Sequence, residues 1–347
     1  MKTACRLLAF TVLLCLTVSA PAAAATYGGS ATGAQVTVPA TGTTIRAATG
    51  SIGISGGTAE ASLLVGDVPG SATGGVVALS AGVMHSAIVG LDATRTESST
   101  GDITLTVSNN TITADFLMAR STASCGPAVT GSSQLTNLVI NGQAITVTGA
   151  PNQTVALPNG TAIINEQISS IVGSSAELTV NAFHVTTTDA ITGQQLADVM
   201  LATVDAKIDC SGGSPPNAQF TTGGGWVPGV FAGHATFGFV AGTQDSGFRG
   251  HLVYKDSSFP FSLQGTVITA FTAGCDGGFE GTGNSPEQGA VYFIVNVHDG
   301  GEPGTSDTLQ IKAFHGTTPP APTDVPFYTD PDTLLRGGNI QAHGFSC

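Results

Sequence analysis

An acidic, glycine-rich turn near the C-terminal end is the best ligand candidate in the sequence. Its carboxylates are Asp299, Glu302 and Asp307, within the run Asp-Gly-Gly-Glu-Pro-Gly-Thr-Ser-Asp. Ca²⁺ binds several carboxylate and carbonyl oxygens, and glycines allow the backbone to supply some of them. However, the run lacks the alternating acidic residues of an EF-hand loop. We therefore favour a tight turn, in which Asp299 and Asp307 bond to the turn backbone. Ca²⁺ is the one cofactor that we keep as a candidate to test.

The single tryptophan, Trp226, is the second ligand candidate. It lies in the run Gly-Gly-Gly-Trp-Val-Pro-Gly, which predicts a glycine-rich loop. An indole ring on such a loop could stack on a sugar. No other aromatic residue stands beside it, and large aromatic side chains are usually mostly buried. We therefore favour a plug in the core or between domains over a carbohydrate site.

Seven histidines invite a metal interpretation, and five of them follow residue 212. They form no His-x-His or His-x-x-x-His pair of the kind that zinc sites use. We expect these five to be solvated or turn-bonded at strand ends, and His184 to point outward from a strand.

Catalytic chemistry has little support in the sequence. Glu166 forms a polar cluster with its neighbours Asn165 and Gln167, but a glycosidase needs a second carboxylate about 5–10 Å away. No Gly-x-Ser-x-Gly segment precedes an apolar strand-to-helix turn. We therefore predict no enzymatic activity and no catalytic residue, and keep an uncharacterised hydrolase as the last alternative.

The first 25 residues have the pattern of an export signal. Lys2 and Arg6 precede an apolar stretch over residues 7–18, which is too short to span a bilayer. Ala23–Ala25 supplies the small residues of a cleavage site, so we expect cleavage after Ala25. No later stretch is long and apolar enough to cross a membrane. The mature chain is therefore predicted to be secreted and extracellular, either free or associated with the cell surface.

The charge balance limits the direct partners. The formal net charge is −13, and removal of the two basic residues of the signal gives about −15. Such a charge disfavours nucleic acid and anionic lipid as partners, leaving surface proteins or glycans. Many Val, Ile and Thr residues predict a folded chain, and short strands between glycine-rich turns predict an all-β protein.

Four cysteines follow the signal: Cys125, Cys210, Cys275 and Cys347. An even number in an exported chain predicts disulfides, and four cysteines allow three pairings. We expect Cys125–Cys210 and Cys275–Cys347, because each bond then closes a loop inside one proposed domain. Four free buried thiols are the alternative.

Phenylalanine usage divides the chain. Thirteen of the sixteen Phe residues follow Cys210, and residues 211–217 have linker composition. We place one domain at 26–212 and a second at 213–347, and predict two β-sandwich-like domains, each closed by one disulfide. Asn141-Gly142 predicts a hairpin, because both central positions of a type I′ turn need positive φ.

Both proposed domains carry a family resemblance. In the first, the runs are Leu-Val-Ile-Asn-Gly-Gln at 138–143, Thr-Gly-Ala-Pro-Asn-Gln-Thr-Val at 148–155, Ile-Asn-Glu-Gln at 164–167, Thr-Val-Asn-Ala-Phe-His-Val at 179–185 and Asp-Ala-Lys-Ile-Asp-Cys at 205–210. They resemble the choice-of-anchor P family, a class of exported bacterial domains. Residues 250–256, 279–283, 297–307 and 338–341 resemble the post-choice-of-anchor module. The resemblance implies export and a surface context, but no activity and no catalytic residue, and we recognise no anchoring signal of the chain's own.

Taken together, these features predict a secreted or cell-surface structural and interaction protein. A carbohydrate- or Ca²⁺-dependent binding module, centred on Trp226 or the acidic turn, is the first alternative.

Overall fold

The computed structural model describes residues 25–212, 219–244 and 247–347. These residues form an all-β protein, as predicted, with 24 strands and two short 3-10 helices at Pro39–Thr41 and Gly70–Thr73. The predicted signal peptide, apart from its last residue, and most of the predicted linker lie outside the described residues.

The first half of the chain folds into two antiparallel sheets. Its strands are β1 (Thr26–Val38), β2 (Thr43–Ile52), β3 (Gly57–Leu63), β4 (Gly66–Val68), β5 (Val77–Ala81), β6 (Met84–Gly90), β7 (Thr94–Val107), β8 (Asn110–Ser124), β9 (Ala128–Thr136), β10 (Val139–Ile140), β11 (Gln143–Ala144), β12 (Gln153–Leu157), β13 (Gly160–Val172), β14 (Ser175–Thr188) and β15 (Gln195–Asp209). One sheet has the order β12-β13-β14-β15-β1-β2, and the other has β11-β10-β8-β7-β5-β4 with β3, β6 and β9 joined to it. The sheets pack as a sandwich around a core of mainly small and aliphatic side chains.

The second half forms one nine-stranded antiparallel sheet. Its strands are β16 (Phe220–Pro228), β17 (His234–Gln244), β18 (Gly247–Asp256), β19 (Phe261–Thr272), β20 (Asp276–Ser285), β21 (Gly289–His298), β22 (Thr308–His315), β23 (Tyr328–Leu334) and β24 (Gly337–His343). Strands β16 to β23 follow one another in the sheet, and β24 returns to pair with β16. The sheet curls, so that Tyr328 packs on Phe261 and Tyr254 with ring centroids 4.5 and 5.8 Å apart. Five phenylalanines of this half are buried in its core: Phe237, Phe239, Phe261, Phe279 and Phe293.

Both predicted disulfides are present. Cys125–Cys210 joins the end of β8 to the end of β15 and so fastens the two sheets of the sandwich to each other. Cys275–Cys347 joins the β19–β20 turn to a cysteine that lies four positions after the end of β24. The bonds close loops of 85 and 72 residues, which corresponds to about 4–5 kcal/mol each in the chain-entropy model.

A transverse crease crosses five strands of the six-stranded sheet. Along it, strand pairing skips one position on each strand, and these positions are Asn165, Ala182, Ala202, Gly33 and Ala48. Three of them have left-handed backbone, with φ of 53° at Asn165 and 50° at both Ala202 and Ala48. A left-handed residue reverses the alternation of side chains along its strand. Strand β15, whose crease position Ala202 is left-handed, therefore buries Val199 and Leu201 before the crease but Val204 and Ala206 after it.

We predict that Ala202 is strained. Ala202 and Ala182 are both fully buried, and replacing either by Gly removes one methyl group and adds chain entropy to the unfolded state. Only Ala202 has positive φ, which costs a residue with a Cβ about 1–2 kcal/mol. Ala202→Gly should therefore destabilise the protein by about 1–2 kcal/mol less than Ala182→Gly, measured by urea unfolding. Equal losses would contradict strain at the crease.

Candidate functional site

The acidic turn at 299–307 is held against β24 by its own carboxylates. Asp299 accepts a hydrogen bond from the Ala342 N–H at 2.8 Å, and Asp307 accepts one from the Ile340 N–H at 2.6 Å. The second oxygen of each carboxylate accepts a bond from a glycine N–H within the turn. Both side chains are buried, and burial raises the pKa of Asp307. The geometry thus agrees with the tight turn that we favoured.

The third carboxylate of the turn, Glu302, has other partners than Asp299 and Asp307. Its Oε1 accepts hydrogen bonds from Arg120 Nη1 at 3.3 Å and from Asn339 Nδ2 at 3.1 Å. Within the described part of the chain, no three His, Cys, Asp or Glu side chains form a group that could hold a metal ion. The Ca²⁺ interpretation of Asp299, Glu302 and Asp307 therefore gains no support from the geometry.

Trp226 does not lie on a loop, so that prediction was wrong. It belongs to β16, a strand paired with both β17 and β24. The glycines before it permit close packing on both faces of the strand. A β-carbon added at Gly223 would lie 2.6 Å from the Phe239 ring, and one added at Gly224 would lie 3.0 Å from Glu97 Oε1.

The indole of Trp226 lies at the junction of the two halves. It packs edge-on against His234, with ring centroids 5.7 Å apart, and its Nε1 is buried without a partner among the described residues. A β-carbon at Gly337 would come within 2.5 Å of that nitrogen and 2.9 Å of the Thr136 hydroxyl in β9. These contacts match the inter-domain plug better than an exposed platform for a sugar.

The two halves meet in a buried polar interface, with Arg120 of β8 near its centre. Arg120 Nε donates to Glu97 Oε2 at 3.1 Å, while Nη1 reaches Glu302 of the second half. Glu97 is only 4 % exposed, and burial raises its pKa although the adjacent Arg120 opposes the rise. One guanidinium thus connects β7, β8 and the acidic turn.

Three buried histidines line the same interface, although two of them were predicted to be solvated or turn-bonded. His85 of β6 faces β17, where a β-carbon at Gly238 would lie 2.4 Å from its ring. Both ring nitrogens of His85 lack a partner among the described residues. His251 of β18 lies 3.2 Å from the Ser62 hydroxyl of β3. His343 of β24 is the third, so the prediction was wrong for His251 and His343.

Burial keeps these three imidazoles neutral. It lowers the pKa of His85 to about 3, with the charge of His251 adding to the effect, and it lowers that of His251 to about 4. His343 stacks on Phe220 with ring centroids 4.3 Å apart. Its pKa lies well below the ordinary value because of burial and, after that, the charges of Arg95 and Arg120. The interface is therefore assembled with uncharged histidines.

His184 points outward from β14, in agreement with the prediction. Its Nδ1 lies 2.7 Å from Glu166 Oε2, which also accepts a bond from Asn181, and its Nε2 makes a 3.3 Å charge contact with Asp198. Contact with Asp198 raises the pKa of His184, burial opposes the rise, and Glu166 adds to it. A second carboxylate is thus near Glu166, but the imidazole lies between the two, in an arrangement that links three strands.

Comparisons of this chain with protein-family models, curated proteins and solved structures found no match. The resemblance to the choice-of-anchor P family and the post-choice-of-anchor module therefore stays a prediction. Over residues 25–212, 219–244 and 247–347, no helix has the length and apolar character needed to cross a membrane.

We predict that Arg120 stabilises the interface by compensating a buried charge. Arg120→Met leaves Glu97 buried and unpaired and should cost about 3–5 kcal/mol, whereas the double change with Glu97→Met should recover most of this loss. Arg46→Met is the control, because exposed Arg46 hydrogen-bonds only Gln35 within the part of the chain that the structure describes. It should cost less than about 1 kcal/mol. Urea unfolding of the wild type and the three variants gives the free energies to compare. A double variant no more stable than Arg120→Met would contradict the explanation.

We also predict that His85 makes the fold sensitive to acid. Its pKa is about 3 in the folded state against an ordinary value of 6.5, so the folded state binds fewer protons than the unfolded state between these two pH values. The contribution of His85 to the free energy of unfolding should therefore fall, below pH 6.5, by about 1.4 kcal/mol per pH unit. On moving from pH 7.5 to 4.5, the wild type should lose roughly 2–3 kcal/mol more than His85→Leu, which removes an imidazole that has no hydrogen-bond partner among the described residues.

The control for that experiment is His315→Gln, which changes an exposed histidine at the end of β22. It should keep the pH dependence of the wild type in urea unfolding. Equal acid losses in the wild type and His85→Leu would show that His85 does not carry this effect.

Proposed function

We propose that the chain is an exported structural and interaction protein that works outside the cell or at its surface without catalytic activity. The observation that carries the proposal is the pair of disulfides, Cys125–Cys210 and Cys275–Cys347. Such bonds persist in oxidising compartments and are rare in the cytosol. The export-signal pattern of the first 25 residues supports the same location.

The interface between the halves supports a mechanical role over that of a mobile receptor. Arg120 connects buried Glu97 with Glu302, and neutral His85 packs against the backbone of Gly238 in the opposite half. Close packing of this kind resists independent motion of the two units. The protein would then present its surface loops from one rigid body, with surface proteins or glycans as the partner classes.

The alternatives have weaker support. A Ca²⁺-dependent module would need Asp299 and Asp307 free of the backbone amides that they accept from. A carbohydrate module on Trp226 would need an open indole face, and a hydrolase would need two perturbed carboxylates sharing a cleft.

Expression of the full sequence in a bacterial host tests the proposal. We expect a mature chain that begins at Thr26 outside the cytoplasm, with its four cysteines blocked to alkylation until they are reduced. Leu13→Arg, which interrupts the apolar stretch of the signal, is the control and should retain an unprocessed chain inside. An unprocessed, reduced wild-type chain in the cytoplasm would overturn the proposal. Mass spectrometry of both fractions gives the N-terminus and the state of the cysteines.

A further inference from the structure

A cleft of about 400 Å³ opens at one end of the interface between the halves. Its volume lies within the range of roughly 300–1,000 Å³ that is usual for small-molecule sites. The apolar part of its wall comes from both halves, and its main members are Ala59, Leu91, Phe220, Val240 and Ile268. At the rim, Phe248 and Val267 are 44 % and 50 % exposed. An apolar chain that entered the cleft would cover both of these side chains.

One carboxyl group interrupts this apolar wall. Glu60 lies on β3, and its Oε2 is buried without a hydrogen-bond partner among the described residues. Burial raises the pKa of Glu60 to about 7, so a large fraction of the group carries charge at neutral pH. A buried carboxylate without a donor is costly, and a charged donor from a ligand would remove much of that cost.

The charges in and around the cleft favour a cationic ligand over an anionic one. Arg249 also lines the cleft, but it is exposed, whereas the carboxyl oxygen of Glu60 is buried. The chain as a whole has a formal net charge of −13, which raises the local concentration of cations. A ligand for this site therefore combines an apolar body with one positive group that donates hydrogen bonds.

We propose that the cleft binds a small amphipathic organic ammonium, with the ammonium group on Glu60 and the apolar part against Phe220 and Val240. This binding would be an activity in addition to the structural role, and it does not depend on export. It also differs from the carbohydrate and Ca²⁺ candidates, because neither Trp226 nor the acidic turn lines the cleft.

Isothermal titration calorimetry of the mature chain at pH 8 tests the proposal with three matched probes: n-hexylammonium, n-hexanol and hexanoate. We expect the ammonium to bind at least about tenfold more tightly than either of the others, because only it supplies a charged donor to Glu60. Lowering the pH to 6 should weaken the binding of the ammonium several-fold, since Glu60 then gains its proton. The affinity for the alcohol should not change. Ammonium binding no tighter than alcohol binding, or no binding of any probe, would overturn the proposal.

Three variants locate the binding. Glu60→Gln keeps the shape of the side chain and should remove the preference for ammonium over alcohol. Asp332→Asn deletes one charge at an exposed position of β23 and should retain that preference. Thr58→Trp places a large ring at an exposed position of the cleft wall. It should lower the affinity for every probe that binds the wild type. A preference that survives Glu60→Gln, or ammonium binding unaffected by Thr58→Trp, would contradict the site.

Discussion

The close approach of two backbones is the constraint on which the join between the halves depends. β16 and β17 lie against the first half through glycines. A β-carbon at Gly238 would collide with His85, and one at Gly224 would lie only 3.0 Å from Glu97 and Ser99. Because no side chains separate the two surfaces at these points, the polar groups there lose their contact with water. Glu97 is paired with Arg120, whereas His85 has no hydrogen-bond partner among the described residues. The glycines thus determine which residues are buried, and the buried residues determine the electrostatics of the join.

Those electrostatics follow from desolvation more than from attraction. Glu97 stays partnered by Arg120, yet its pKa is still raised, so burial outweighs the opposite charge. Burial lowers the pKa values of the histidines, so they remain neutral and avoid the cost of a buried charge. An interface that buries charged groups in this way gains less net stability than an apolar interface of the same area.

Local signals in the sequence predicted the local structure well. The Asn141-Gly142 hairpin has positive φ at both residues, 51° and 77°. The disulfide pairing followed from keeping each loop within one domain and is confirmed. The prediction of a loop from glycine-rich composition failed at the run before Trp226. This run is a central strand, and it needs glycine for close packing against residues that are distant in the sequence. Ala202 gave no signal at all, because a left-handed alanine is imposed by the strands on either side.

The same non-local packing explains why Glu60 escaped notice in the sequence. Glu60 and Ser62 are two residues apart on β3, so both side chains leave the same face of the strand. Ser62 reaches His251 of the second half, whereas Glu60 meets the open cleft. In the sequence, a Glu between two alanines on a short strand is typical of a solvated edge. The two halves are in contact beside Ser62 but separate beside Glu60. Ser62 therefore forms an interface contact, whereas Glu60 Oε2 stays in the apolar wall without a hydrogen-bond partner among the described residues.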